Sequence, residues 1–210
     1  MLEKKKILRK IIKVRVSAIS AEEKAKREKL LLDNLFSMPE FLDAKSVMLF
    51  ANLPDEIGTF SLIDKCIAMG KKVFLPVING DDMTACEFNG VYRVGRYDIK
   101  EPVVKQLGVN GLITESRDNA CIVRNSVTEP VDVRDSVPEL VEGPEHFDFI
   151  LVPGVAFSPN CYRLGRGKGF YDKFLSKHQL FTVGVCFREQ FFLDIPTEPH
   201  DVPMNKVIVC

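Results

Sequence analysis

The sequence predicts an α/β fold, a single three-layer domain over residues 1–210 with a largely parallel sheet flanked by helices. Three observations carry that prediction. Residues 46–78 read as strand, helix, strand with short links, a βαβ unit whose two strands must run parallel. The run FDFILVPGVAF at 147–157 is apolar without alternation, as expected of a strand buried on both faces. FTVGVCF at 181–187 and KVIVC at 206–210 then repeat the short β-branched pattern. With 210 residues and 46% hydrophobic content, the chain can bury a full core in one domain.

Along the chain, residues 3–16 place Ile7, Leu8, Ile11 and Ile12 at helical spacing with basic residues around the rest of the turn. One face is expected to pack and the other to be basic. Ser20 followed by Glu23 forms a capping box for a second helix, which runs to about Leu35 and stops before Met38-Pro39. SVMLFAN (46–52) is the first strand, LPDEIG a turn, Thr59 to about Met69 a helix closed by Gly70, and KKVFLPVI (71–78) the second strand. Asn79-Gly80-Asp81 reads as a turn leading into a strand at TACEF (84–88). Residues 115–146 combine charges and prolines without a sustained period of 2 or 3.6, and are expected to form a surface insertion. In a sheet of this kind ligands gather at the C-terminal strand ends, where the turns containing Glu56, Phe157 and Arg188 would lie.

Formal net charge is zero, yet the first 29 residues carry eleven Lys/Arg against four Asp/Glu, leaving the rest net negative by seven. The asymmetry is local, and without a basic surface across the domain no nucleic-acid partner is expected. The six cysteines show neither CxxC spacing nor the density of a disulfide scaffold, so they read as reduced thiols. No apolar run approaches the ~20 residues of a spanning helix, and the charged N-terminal stretch lacks an apolar core. The expected setting is the cytoplasm, with no membrane partner and a monomeric state.

The most informative stretch is RLGRGKGFYD at 163–172. Glycines 165, 167 and 169 alternate with Arg166 and Lys168. Glycine permits positive φ and close backbone approach, while the interleaved cations supply countercharge, so the loop reads as a phosphate site. The following FYDKFLSKH can start a helix whose N-terminus would face the same anion. The spacing is neither a Walker A loop nor the dinucleotide-binding GxGxxG.

Five segments in order then match one pattern: KKILR (5–9), FANLPDEIGT (50–59), VPGVAFSPNCYRLGRGKGFYDKFL (152–175), GVCFREQ (184–190) and IPTEPHDVPMNKVIV (195–209). Together they resemble the 5-formyltetrahydrofolate cyclo-ligase family, also called 5,10-methenyltetrahydrofolate synthetase. The resemblance skips about 103–146. It implies a fold similar to that of sugar-phosphate isomerases and CoA transferases, and an ATP- and magnesium-dependent reaction on a reduced folate. In that chemistry the N5-formyl oxygen attacks the γ-phosphate of ATP, N10 closes on the activated carbon, and phosphate leaves. Such a reaction asks the protein chiefly for alignment and charge stabilisation.

Carried over by position, the resemblance assigns ATP to Arg163, Leu164, Gly165, Arg166, Gly167, Lys168, Gly169, Phe170 and Tyr171, helped by Lys5 and Arg9, which share a face of the first helix. Arg166 and Lys168 would be catalytic, beside the transferring phosphate. Asp172 and Asp201 match the family's magnesium (Mg2+) positions. Glu56 matches its folate-contacting acid, with Phe50, Ala51, Phe157 and Tyr171 as apolar walls for the ring. Phe170 stands where the family often has tyrosine, and Asn205 where many relatives have an acid. His146, His178 and His200 receive no catalytic role. Two other classes share a basic glycine loop: a phosphosugar isomerase, which needs no ATP, and a nucleotide sensor, which turns nothing over.

Overall fold

The structure, a computed structural model, describes residues 2–88, 90–94, 100–102, 122–124, 147–178 and 180–210. Most of the expected insertion at 115–146 therefore lies outside the described residues.

Two helices open the chain, α1 (Leu2–Ser17) and α2 (Ala21–Leu35), followed by the short α3 (Pro39–Asp43). The capping box is half realised: Ser20 Oγ accepts the Glu23 N–H at 3.2 Å. In α1 only part of the expected stripe packs, Ile12 and half-buried Leu8, joined by Val16. Ile12 and Val16 are buried at 2% and 1%, whereas Ile7 and Ile11 are exposed at 49% and 43%. Lys5, about two turns before Ile12 and so on the same face, turns inward with them.

The main sheet has the order β11-β10-β7-β1-β2-β3. Its strands are β1 (Ser46–Met48), β2 (Lys72–Asn79), β3 (Asp82–Glu87), β7 (Phe149–Pro153), β10 (Thr182–Cys186) and β11 (Lys206–Val209). All pairings are parallel except β2 with β3. That hairpin turns on Gly80 at φ +61 and Asp81, so glycine supplies the left-handed position a two-residue turn needs. A small antiparallel sheet joins β4 (Val91–Val94) to β5 (Lys100–Pro102) and β6 (Ile122–Arg124). Residues 122–124, expected to belong to the insertion, thus pair with β4.

Period-two alternation splits the sheet's apolar residues between two cores. Val47, Val73, Phe149, Leu151, Val183 and Ile208 face α1, α2, α3 and α4 (Phe60–Ala68). Met48, Phe74, Ile150, Val152 and Cys186 face the other side, where Phe174 and Leu175 of α5 (Phe170–Leu175) pack. This is the three-layer arrangement. From β1 the chain crosses by α4 to β2 on one side, while β7 lies on the other side of β1 and leads by α5 to β10. Right-handed crossovers running in opposite directions put their helices on opposite faces, and the strand order reverses between β1 and β7. A crevice opens there, beyond the C-terminal strand ends.

The apolar run at 147–157 is not one strand. It breaks at Gly154, and Ala156–Phe157 (β8) turns back to pair with Arg163–Leu164 (β9). Among the described residues no helix is long and apolar enough to cross a membrane.

Candidate active site

A cavity of about 440 Å³ fills the crevice at the switch point. Phe50 and Ala51 follow β1, Pro76 and Ile78 belong to β2, and Pro153 and Gly154 end β7. The whole stretch Arg163–Asp172 lines it, together with Lys5, Arg9, Glu56 and Asp201. Every residue expected at the site is therefore brought to one cavity except Phe157. That ring is 0% exposed and wedged against two glycines: a Cβ on Gly184 or Gly154 would lie 2.3 or 2.6 Å from it. Phe157 is core beneath the loop, not a wall of the cavity.

The three loop glycines serve two purposes. Gly167 and Gly169 adopt φ of +105 and +72, which L side chains disfavour. Gly165 instead makes room for a neighbour, since a Cβ there would sit 2.8 Å from Arg163 Nη1. Gly169 caps α5 without a side-chain hydrogen bond, and that helix is six residues long, shorter than FYDKFLSKH suggested.

The loop's cations differ in their surroundings. Arg163 is buried, donates from Nη2 to Asp172 Oδ2 at 2.8 Å, and lies 5.4 Å over the Tyr171 ring. Arg166 is half-exposed, and its Nη2 donates to Asp55 Oδ1 at 2.7 Å and to Glu56 Oε1 at 3.0 Å. Lys168 is exposed. Arg9 donates from Nε to the Gly165 carbonyl at 2.9 Å and so ties α1 to the loop. The Tyr171 hydroxyl is buried without a hydrogen-bond partner, and burial, then the Glu56 charge, push its pKa upward.

Glu56 is fixed before any ligand arrives. Its Oε2 accepts the Leu53 N–H at 2.9 Å while its own N–H donates to the Leu53 carbonyl at 2.9 Å. Asn52 holds the far end of the same turn by accepting the Thr59 N–H at 2.9 Å.

A carboxylate corner closes the cavity on the α1 side. Lys5 Nζ lies 2.7 Å from Glu198 Oε2 and 3.4 Å from Asp201 Oδ2. Burial alone would lower the Lys5 pKa, but the hydrogen bond it donates to Glu198 and the Asp201 charge outweigh it and raise the pKa, so the ammonium stays charged. Asp201 Oδ2 also accepts the Glu198 N–H at 2.7 Å. Glu198, for which the sequence pointed to no role, and His200, expected to have no catalytic role, both stand on the cavity wall. The available signal was their place in TEPHD, within three residues of Asp201.

The carboxylates tolerate a hard cation. Asp172 Oδ1 is buried without a partner, and Asp201 Oδ1 meets His200 Nε2 at 3.8 Å. Among the described residues no three His, Cys, Asp or Glu cluster as a metal cage. Two carboxylates suit an ion that keeps its waters and takes phosphate oxygens, as magnesium does. Asn205 is no part of this corner, since its Oδ1 accepts from the N–H and hydroxyl of Thr182 at 2.8 and 3.0 Å and joins β10 to β11. Burial pushes the Cys66 thiol up to about 12 and the Cys210 thiol up to about 11, away from thiolate character.

A switch-point cavity with a cationic glycine loop on one side and paired acids on the other defines an α/β enzyme that handles an anionic ligand. The sequence model of the 5-formyltetrahydrofolate cyclo-ligase family matches residues 1–210, and the chain belongs to that family. The 5-formyltetrahydrofolate cyclo-ligase of Mus musculus is 27% identical over 210 residues, spanning 97% of this chain and 92% of the relative. The Escherichia coli (strain K12) enzyme of the same name is 26% identical over 202 residues, spanning 94% and 96%. The NMR structure of Aquifex aeolicus 5,10-methenyltetrahydrofolate synthetase superposes with a TM-score of 0.69 at 28% identity, covering 98% of this chain and 89% of that one. A Mycoplasma pneumoniae 5,10-methenyltetrahydrofolate synthetase shares the fold at 19% identity, with a TM-score of 0.64 and 97% of each chain covered.

Proposed function

We propose that this chain converts 5-formyltetrahydrofolate to 5,10-methenyltetrahydrofolate with cleavage of ATP and release of ADP and phosphate. One observation carries the reading: a single cavity is walled by phosphate-type donors, Arg9, Arg166 and Lys168, and by a ring-type surface, Phe50, Ala51, Tyr171 and Glu56. Two substrates of those kinds would meet in it.

In this mechanism Glu56 accepts N–H groups of the pterin while Phe50 and Tyr171 flank the ring. The formyl oxygen is then directed at the γ-phosphorus, forming an O–P bond as the bond to ADP breaks. Arg166 and Lys168 stabilise the charge moving across the transferring phosphoryl. N10 attacks the activated formyl carbon, closes the five-membered ring and loses its proton, and the former formyl oxygen departs with phosphate. Asp172 and Asp201 are the residues that would hold magnesium, which supplies neutralisation of phosphate charge when bound. Arg9 and Lys5 contribute ground-state affinity for the nucleotide, Lys5 after sharing its charge with Glu198 and Asp201. The enzyme acts as a monomer in the cytoplasm.

The test is an omission series followed by near-ultraviolet absorbance of the conjugated methenyl product and by ADP release. Product is expected only with folate, ATP and magnesium together. ATP-independent turnover of a phosphosugar, with no methenyl product, would replace this reading with an isomerase.

A further inference from the structure

Asp55 has no task in the mechanism above, yet it makes the shorter of the two bonds to Arg166. Both carboxylates, Asp55 at 2.7 Å and Glu56 at 3.0 Å, take the same guanidinium nitrogen, Nη2. That nitrogen carries two hydrogens, so the pair uses it fully. Nε and both hydrogens of Nη1 remain for a further acceptor.

The two acids are not equivalent. Glu56 is committed on its other oxygen to the Leu53 N–H, and in the proposed mechanism it turns to the N–H groups of the pterin. Arg166 would then lose one of its two holders as substrate arrives. Asp55 is the holder that remains. It is well placed to stay, because the turn that carries it is closed by the Glu56 N–H donating to the Leu53 carbonyl at 2.9 Å and tied to α2 by Lys24 Nζ donating to the Pro54 carbonyl at 2.8 Å. Asp55 is not among the residues lining the main cavity and instead shares the wall of a second one, about 160 Å³, with Arg9 and Arg166, which line both.

We propose that Asp55 is a positioning residue for Arg166, keeping the guanidinium aimed at the transferring phosphate when Glu56 engages the folate. The inference rests on the functional reading above. Asp55 touches neither substrate and acts only through Arg166, which makes the proposal separable from a general electrostatic or structural effect.

The experiment is a double-mutant cycle on the full chain with saturating folate and magnesium and varied ATP, reading kcat, KM for ATP and melting temperature. Asp55→Ala should lower kcat about tenfold, since misaimed groups at a reacting centre cost rate steeply, with a smaller change in KM. Its melting temperature should stay at the wild-type value, because the Asp55 side chain is 40% exposed. Asp55→Glu should recover part of the rate. In an Arg166→Gln background, Asp55→Ala should have no further effect on kcat. The same loss in both backgrounds, or a rate that rises when Asp55 is removed, overturns the proposal. Wild-type enzyme without ATP-dependent turnover would overturn the functional reading, and this inference with it; an active wild type with additive losses overturns the inference alone.

Discussion

Arg163 and Arg166 stand three residues apart in one loop and have opposite environments. Arg163 is 4% exposed in its side chain, paired with Asp172 and stacked on Tyr171. Arg166 is 46% exposed in its side chain and bridges Asp55 and Glu56 across the mouth of the cavity. Lys168, two residues further, is exposed beside them. The contrast divides the loop into a structural end and, on the proposed mechanism, a reactive end. At the first, a buried cation is committed to holding β9 against α5; at the second, cations retain hydrogens for a ligand. Alternation of glycine with charge cannot show this division, because it depends on what lies under each residue.

The largest effect should come from breaking the structural end. Arg163→Ala leaves the Asp172 carboxylate without its buried partner, and removing one member of such a pair costs about 3–5 kcal/mol of stability. Denaturant unfolding should show that loss. A stability change within experimental error would mean that Arg163 belongs with the reactive cations after all. At the reactive end, Lys168→Ala should lower kcat by about a hundredfold, with unchanged melting temperature and a smaller effect on KM for ATP. If only KM rises, Lys168 holds the ground-state nucleotide and the catalytic charge falls to Arg166. Lys5→Ala sharpens the comparison, since its charge is already shared with Glu198 and Asp201, and it should act chiefly on KM.

The smallest effect concerns pH and lies away from the cavity. Hydrogen bonding from Arg27 holds Glu189 below its ordinary pKa of 4.5 and outweighs burial. A carboxylate with a depressed folded-state pKa stabilises the fold fully above its unfolded value and loses that contribution as pH falls through the folded one. Stability should therefore decline as pH drops below about 4.5, and Glu189→Gln should flatten that limb without altering the reactive end. An acid limb identical in Glu189→Gln and wild type would remove this pair from the account.

Much of the fold was legible because its signals are local. The βαβ unit, the Gly80 turn, the Ser20 cap and the buried strands each follow from neighbouring residues. The failures required knowledge of distant neighbours. Ile7 and Ile11 fit a helical stripe as well as Ile12 does, and only the position of the sheet decides that Ile12 and Val16 go inward. The resemblance makes Phe157 a cavity wall by position alone. The break at Gly154 turns its ring into the core, where Gly184 from another strand leaves space for it. Lys5 stands on the cavity wall as expected, but its two acidic partners, 193 and 196 residues away in sequence, are invisible to local reading. Sequence named the loop and the facing acids; packing decided which of them remain free to act.

The most direct test of the central claim, that the loop drives phosphoryl transfer to the formyl oxygen, follows that oxygen atom. With 5-formyltetrahydrofolate carrying ¹⁸O in the formyl group, the account predicts one labelled oxygen in each phosphate released, and one phosphate for each methenyl product formed. Unlabelled phosphate alongside normal product would mean that ATP is hydrolysed by water while the ring closes by another route, and would contradict it.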